Sequence, residues 1–306
     1  MDLQHLDLLR QLADRGSVVA VAAATHRSPS AVSQQLATVQ RRLGVELVRR
    51  QGRGVVLTDA GLALARAAVA VSTAVAEAEA ALDAHREGSV GIVRLAVFPS
   101  AAELLLPGLL HRVRRHEGIE LQVVDRDVSE DAFAPLTADF DVVVGHRSDG
   151  VEPPGREGLR IVPLLREPLE VAMALDHPLS EHGRVSLRDV VGDSWIGVPE
   201  GYPLDRVLVS MALQTGVAPR VVHRTLHLPL IEAMVSAGHG VALLPRHTSA
   251  LRAPGRFHLA ALADVRAGRR LEALLRPERA VRPVVRTVVA ELLAEAGAAE
   301  AASQEA

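Results

Sequence analysis

The chain has 306 residues, enough for about two or three domains with ample core, and its 48% apolar content with a net charge of −3 excludes a disordered chain. The absence of cysteine excludes disulfides, thiolate metal sites and cysteine nucleophiles, and because all 34 basic residues are arginine, phosphate-loop lysines and lysine Schiff bases are excluded too. Residues 1–66 carry nine arginines against five acids and the remainder 25 against 32, a basic head on an acidic body, as expected of a protein that meets nucleic acid at one end.

Leu3, Leu6, Leu9 and Leu12 space a first helix whose acids argue against a signal peptide. Ser17 caps a second helix over Val18–Thr25. Ser28 caps a third, with Pro29 at its first position, where a missing N–H costs nothing. Val32, Leu36, Val39 and Leu43 form its apolar face, and Gly44 ends it. The opposite face carries Ser30, Ser33, Gln34, Thr38, Arg41 and Arg42. Small polar groups at a helix start and cations at its end suit base edges and phosphates in a major groove. Val45–Val48 and Val55–Thr58 flank an Arg/Gly turn at 49–54, predicting a basic hairpin whose arginines reach phosphate or a minor groove.

This ordered stretch resembles the winged helix-turn-helix of LysR-type transcriptional regulators. The matching residues are Ala22-Ala23, the run Ser28–Leu36, Leu43–Leu47, Arg50, Arg53-Gly54 and Leu57–Gly61. The resemblance implies DNA contacts by Ser28, Pro29, Ser30, Ser33, Gln34, Arg41, Arg50 and Arg53. Two positions depart from the family pattern. Val48 stands where an aromatic residue is usual, which affects wing packing, and Gln40 where an acid is usual, which affects a local salt bridge.

Asp59–Glu87 is rich in Ala and Val and lacks Pro, so it predicts one long helix. Its broad apolar surface calls for a partner helix. In the family the corresponding helix dimerises antiparallel. Gly88–Gly91 reads as a hinge. From Ile92 strands and helices alternate: strands at Ile92–Phe98, Glu120–Asp125, Asp141–Gly145, Leu169–Ala174, Trp195–Val198, Val221–His223, Val241–Leu244 and Leu271–Leu275, with helices at Ala102–Arg115 (kinked near Pro107), Asp205–Gln214, Leu230–Ala237 and Val281–Glu295. That alternation implies a mostly parallel sheet. No stretch is expected to be both long enough and free enough of charge to cross a membrane, and a cytoplasmic location is expected.

Glu167-Pro168-Leu169, Asp176–Leu179, Trp195-Ile196 and Val235–Pro245 extend the resemblance to the effector half of the family, which is related to periplasmic binding proteins. The implied fold is α/β: a DNA-binding head at 1–58, a linker helix at 59–88, a two-lobed effector domain at 89–297 and a frayed tail at 298–306. Lobe I takes 89–162 and 270–297, lobe II 163–269. Ligands of open α/β units bind beyond the carboxyl ends of strands. Ser100 precedes a helix there, and its hydroxyl and amides suit a carboxylate; its alternative is a plain N-cap. By resemblance, Ser100 with Ala101, the residues around Val198 to Tyr202, and Thr225 to His227 match positions lining the family's cleft, while His146 and Arg147, which follow the Asp141–Gly145 strand, are expected to face the same cleft, Arg147 being added on physical grounds. An anionic small molecule is therefore the expected effector.

No nucleotide-binding glycine pattern or serine-hydrolase elbow occurs. His223 and His227 lack a metalloprotease context, and Asp125, Asp127, Asp139 and Asp141 read as surface or strand-edge acids. No cofactor and no catalytic residue is expected. The favoured reading is a dimeric or tetrameric regulator that binds an interrupted palindrome near a promoter, where it meets RNA polymerase. Its rivals are an enzyme or solute-binding protein with an accessory helical head, and an architectural DNA-binding protein with a vestigial cleft.

Overall fold

The computed structural model describes residues 2–52, 54–83, 90–150, 152–200 and 202–305. Three helices, α1 (Leu3–Arg15), α2 (Val18–Ala24) and α3 (Pro29–Leu43), precede a hairpin of β1 (Val48–Gln51) and β2 (Gly54–Leu57). The caps fall where predicted. Ser17 Oγ accepts from Ala20 N at 3.1 Å and Ser28 Oγ from Ala31 N at 3.2 Å. Gly44 ends α3 at φ 68°, a left-handed conformation that glycine adopts without steric cost. Leu9, Leu12, Val21, Val32, Leu36, Val39 and Leu47 form a separate small core.

Helix α4 (Asp59–Asp83) leaves the hairpin through Thr58. Thr58 Oγ1 donates to Glu46 O at 2.7 Å and accepts from Gly61 N at 3.2 Å. A Cβ on Gly61 would lie 2.2 Å from the Leu47 carbonyl oxygen, which is backbone and cannot give way. Gly61→Ala is therefore expected to lower the head's stability by about 1–3 kcal/mol, read as a lower thermal midpoint of the full chain. Contrary to the sequence expectation, α4 is long and apolar enough to cross a membrane by length and composition, with a mean hydropathy of 1.4. In the fold it packs against α1 and the later α11 (Pro277–Ala280), with Leu62, Val75 and Leu82 exposed. Its predicted last turn and the hinge glycine Gly88 lie outside the described residues.

The remainder contains β3 (Gly91–Val97), α5 (Pro99–Val113), β4 (Ile119–Asp125), α6 (Phe133–Leu136), β5 (Val142–Ser148), β6 (Arg160–Met173), β7 (Arg184–Val185), α7 (Leu187–Val190), β8 (Ser194–Gly197), α8 (Pro203–Thr215), β9 (Arg220–Arg224), α9 (Leu228–Ser236), β10 (Ala242–Pro245), α10 (Arg246–Arg252), β11 (His258–Leu262), β12 (Gly268–Leu275), α11 and α12 (Pro283–Glu305). The large sheet has the order β4-β3-β5-β12-β6-β11-β7, with β10 also on β6. It is mixed rather than mostly parallel. β3 runs parallel to β4 and β5, whereas β12 is antiparallel to both β5 and β6. The long strands β6 and β12 pass through both halves and are the two crossovers.

Two cores flank them, one built from residues of 93–165 and 271–296, the other from 169–267. Leu164 and Leu165 belong to the first, so the lobe change falls inside β6, a few residues beyond the expected boundary at 162. Helix α5 starts at Pro99 rather than Ala102, because Pro suits a first helical turn. It runs through Pro107. The expected frayed tail is instead the end of α12, continuous to Glu305, with Ala299 packed against the first core.

Head and body meet along α1. Arg10 pairs with Glu278, Arg15 Nη2 donates to Asp139 Oδ1 at 2.7 Å, and Arg276 Nη2 lies 2.6 Å from Asp14 Oδ2. The polar side of α1 is thus a charged seam to the first lobe, a role beyond the core packing read from its leucines.

Candidate functional site

Two surfaces gather the predicted residues. On α3, Ser28, Pro29, Ser30, Ser33, Gln34 and Arg41 are all exposed, while Val32, Leu36 and Val39 are buried beneath them. Ser28 and Ser30 hydroxyls lie 2.9 Å apart, and Thr38 accepts from Arg41 Nη2 at 3.2 Å. The face is polar, convex and cationic toward its end, which fits a major groove. Gln40 explains its own departure from the family pattern. Its Oε1 accepts from Leu47 N at 2.7 Å and Val48 N at 2.9 Å, so a neutral acceptor holds the start of the wing. Val48 is half-buried against the head core.

The hairpin closes more tightly than the sequence predicts: its first strand is Val48–Gln51 rather than Val45–Val48, and its second, Gly54–Leu57, starts one residue earlier than Val55. β1 begins at Val48, and Arg50 pairs with Val55 within the ladder rather than standing in the turn. It remains exposed, as does Arg49, which the sequence reading did not single out. Arg53 lies outside the described residues.

The second surface is a cleft of about 390 Å³ between the lobes. Phe98, Ser100, Asp125, Asp127 and His146 line it from one side. Val198, Tyr202, Leu226, His227 and Leu228 line it from the other, and Arg269 of β12 also faces it. Four of the seven predicted effector residues, Ser100, Val198, Tyr202 and His227, are therefore brought together. Three are not. Ala101 is fully buried in the first core. Thr225 donates its N–H to Gly197 O at 3.0 Å, and its hydroxyl accepts from His227 N at 3.2 Å, so it shapes the turn into α9. Arg147 was placed beyond a strand ending at Gly145, but β5 continues to Ser148 because β12 pairs with it as far as Arg269. Successive strand residues alternate faces, so His146 turns to the cleft and Arg147 away from it, its Nε donating to Glu272 Oε1 at 2.9 Å.

The cleft's two arginines are committed to carboxylates. Arg269 donates to Glu167 Oε2 through Nε at 2.9 Å and Nη2 at 2.6 Å, and from Nη2 to Ser100 Oγ at 2.8 Å. Arg252 bridges the lobes, donating from Nε to Glu103 Oε2 at 2.7 Å and from Nη1 to Glu232 Oε1 at 3.1 Å. His146 is buried edge-on against Phe98 and Phe133, at 4.7 and 4.9 Å between ring centroids. Burial, reinforced by Arg269, pushes its pKa down to about 3, so the ring is neutral at physiological pH. Desolvation and then Asp125 hold the Asp127 carboxyl above its ordinary range against the pull of Arg269, and burial and then Asp127 raise the Tyr202 hydroxyl.

Asp125 and Asp127 are exposed, Asp125 at the end of the edge strand β4, in keeping with their reading as surface or strand-edge acids, and both also line the cleft. Arg269 escaped the sequence reading because β12 was expected to begin at Leu271. The chain signal was present in Gly268, which opens the strand, but its pairing is long-range. Among the described residues no three His, Asp or Glu side chains converge as a metal site.

Both halves of the chain match known proteins. Residues 3–62 match the model of the bacterial regulatory helix-turn-helix protein, lysR family, and residues 86–297 that of the LysR substrate binding domain. The HTH-type transcriptional regulator GbpR of Rhizobium radiobacter is 32% identical over 244 residues, 78% of this chain and 80% of the relative. The transcriptional dual regulator GltC of Bacillus subtilis is 28% identical over 267 residues, 83% of this chain and 84% of the relative. Among solved structures, a full-length OxyR of Pseudomonas aeruginosa shares the fold at TM-score 0.67 and 18% identity, covering 95% of this chain and 94% of that one. CbnR in complex with its target DNA shares it at TM-score 0.54 and 20% identity, covering 97% and 100%. With a capped, polar recognition helix at one end and a two-lobed cleft at the other, the chain belongs to the LysR family of DNA-binding transcriptional regulators.

Proposed function

We propose that residues 1–58 read an interrupted palindrome in duplex DNA, that 59–88 pair with a second copy, and that 89–297 hold a small-molecule effector in the cleft. The observation that carries the DNA half is the exposed run Ser28, Pro29, Ser30, Ser33 and Gln34 over a buried apolar face, with Arg41 and Arg50 beside it. Paired heads require paired half-sites, and the exposed Leu62, Val75 and Leu82 of α4 provide an apolar face for a partner helix, in a dimer or a tetramer of two such pairs. Effector binding shifts the relation of the lobes. The Arg10–Glu278, Arg15–Asp139 and Asp14–Arg276 seam passes that shift to the head. The output is regulation of RNA polymerase at a promoter in the cytoplasm, not catalysis. The committed arginines and the misplaced Arg147 remove the side-chain basis for a purely anionic ligand; what remains for an anion is the helix amides around Ser100.

The test is fluorescence anisotropy of the full chain on DNA from upstream of its own gene, against random competitor, across a salt series. Preferential binding with a steep salt slope is expected. Ser33→Ala is expected to lose about 1 kcal/mol or more of operator preference per base contact removed. Equal affinity of the unaltered protein for operator and random DNA overturns the reading.

A further inference from the structure

The cleft carries two kinds of unmet polar demand, of opposite sign. Helices α5, α8 and α9 all start at it. Their N-cap residues Phe98, Tyr202 and His227 supply no side-chain capping bond, whereas α1, α2 and α3 are capped by Asp2, Ser17 and Ser28. Each first turn includes a proline without an N–H (Pro99, Pro203 and Pro229), and Leu230 N already donates to His227 O at 2.9 Å, but the remaining first-turn amides and the positive dipole ends of three helices converge on one cavity with no side-chain cap. The opposite demand comes from Asp125 and Asp127. Among the described residues neither carboxyl forms an ion pair, while the cleft's arginines are held by Glu167, Glu103 and Glu232. Desolvation and the neighbouring Asp125 push the Asp127 carboxyl up from its ordinary range, so a cation placed beside the two carboxyls relieves a repulsion.

The two demands are adjacent. Asp125 pairs in register with Val97, the residue before the Phe98 cap of α5, and neighbouring strands lie about 4.8 Å apart. One small molecule bearing an anion and a cation a few atoms apart spans that gap. A third feature also points to a ligand: His146 is only 7% exposed, lines the cleft, and its Nδ1 has no hydrogen-bond partner among the described residues.

We propose that the effector is a zwitterion of the amino-acid type, with its carboxylate on the first-turn amides of α5, α8 and α9 and its ammonium against Asp125 and Asp127. The proposal rests on the cleft being the effector site. The neutral imidazole of His146 offers a hydrogen bond to the ligand without adding charge, and Phe98, Leu226 and Leu228 give its body an apolar wall.

The experiment is thermal-shift screening of the full chain with the L-α-amino acids, followed by calorimetry of each responder beside its des-amino carboxylate and its decarboxylated amine. At least one amino acid is expected to bind, with both half-molecules at least about tenfold weaker, since a hydrogen-bonded charge contributes that much or more. Asp127→Asn, a change at an exposed position that also removes the repulsion from Asp125, is expected not to lower the unliganded thermal midpoint and to weaken only the zwitterion and the amine. A carboxylate that binds as well as its amino acid, an Asp127→Asn protein with unaltered preference, or a panel without any binder overturns the proposal. Binding of an amine-free acid that Tyr202→Ala weakens retains the cleft while overturning the zwitterion. Binding indifferent to both Asp127→Asn and Tyr202→Ala removes the cleft reading as well.

Discussion

Replacing Glu167 by alanine is expected to destabilise the effector domain by about 3–5 kcal/mol, the cost of stranding a buried partner charge. Glu167 is fully buried and Arg269 is 4% exposed, and the two face each other in register across β6 and β12. Glu167 also accepts from Thr248, through the backbone N at 3.1 Å and Oγ1 at 2.9 Å. Thr248 Oγ1 lies 3.4 Å from the Ser100 carbonyl oxygen in the opposite lobe. One carboxylate therefore ties together both crossovers, α10 and the start of α5. Its loss leaves a guanidinium without a counter-ion and a buried amide without an acceptor. Urea denaturation of the full chain is the measurement, with Glu167→Gln as the control that keeps one acceptor oxygen and removes the charge. A midpoint within error of the unaltered protein would show the pair to be dispensable. The neighbouring Ser100 and Arg269 predict a functional consequence as well, because both line the cleft that the altered crossover would no longer hold in place.

Trp195→Ala should cost a similar amount, about 3–5 kcal/mol, by opening a cavity in the second lobe. Trp195 is fully buried, and its indole Nε1 donates to Val190 O at 3.1 Å. The strand it belongs to is pinned on its other side, with Ile196 N donating to Val241 O and Val241 N to Ser194 O, each at 2.8 Å. Val198 and Tyr202 follow directly, so collapse around Trp195 is expected to abolish ligand binding. The head has a separate core, and its unfolding transition should persist. Trp195→Phe keeps most of the volume and loses the indole hydrogen bond, so a smaller loss is expected. Equal midpoints for the alanine variant and the unaltered protein would refute the packing argument.

The DNA-reading unit was legible residue by residue, because its determinants are local. Ser17 and Ser28 each meet an amide three residues on, Val32, Leu36 and Val39 repeat at helical spacing, and Gly44 supplies the conformation that stops the helix. The wing was less legible. Arg49 and Arg50 look like turn residues, yet the ladder to Val55 and Val56 recruits them into a strand. The role of Gln40 was hidden for the same reason, since its partners Leu47 and Val48 lie beyond the end of its helix.

Sequence alone determined the helix-turn-helix, the long apolar linker helix and the division of the body into two α/β units, all of which follow from spacing within a few residues or from composition. Only the tertiary structure decided the character of the cleft. The antiparallel pairing of β12 with β5 and β6 extended two strands past their apolar runs, turned His146 inward and Arg147 outward, and set Arg269 opposite Glu167. A residue's face on a strand depends on register with partners more than a hundred positions away, and register is settled by burial of the whole sheet rather than by any local signal.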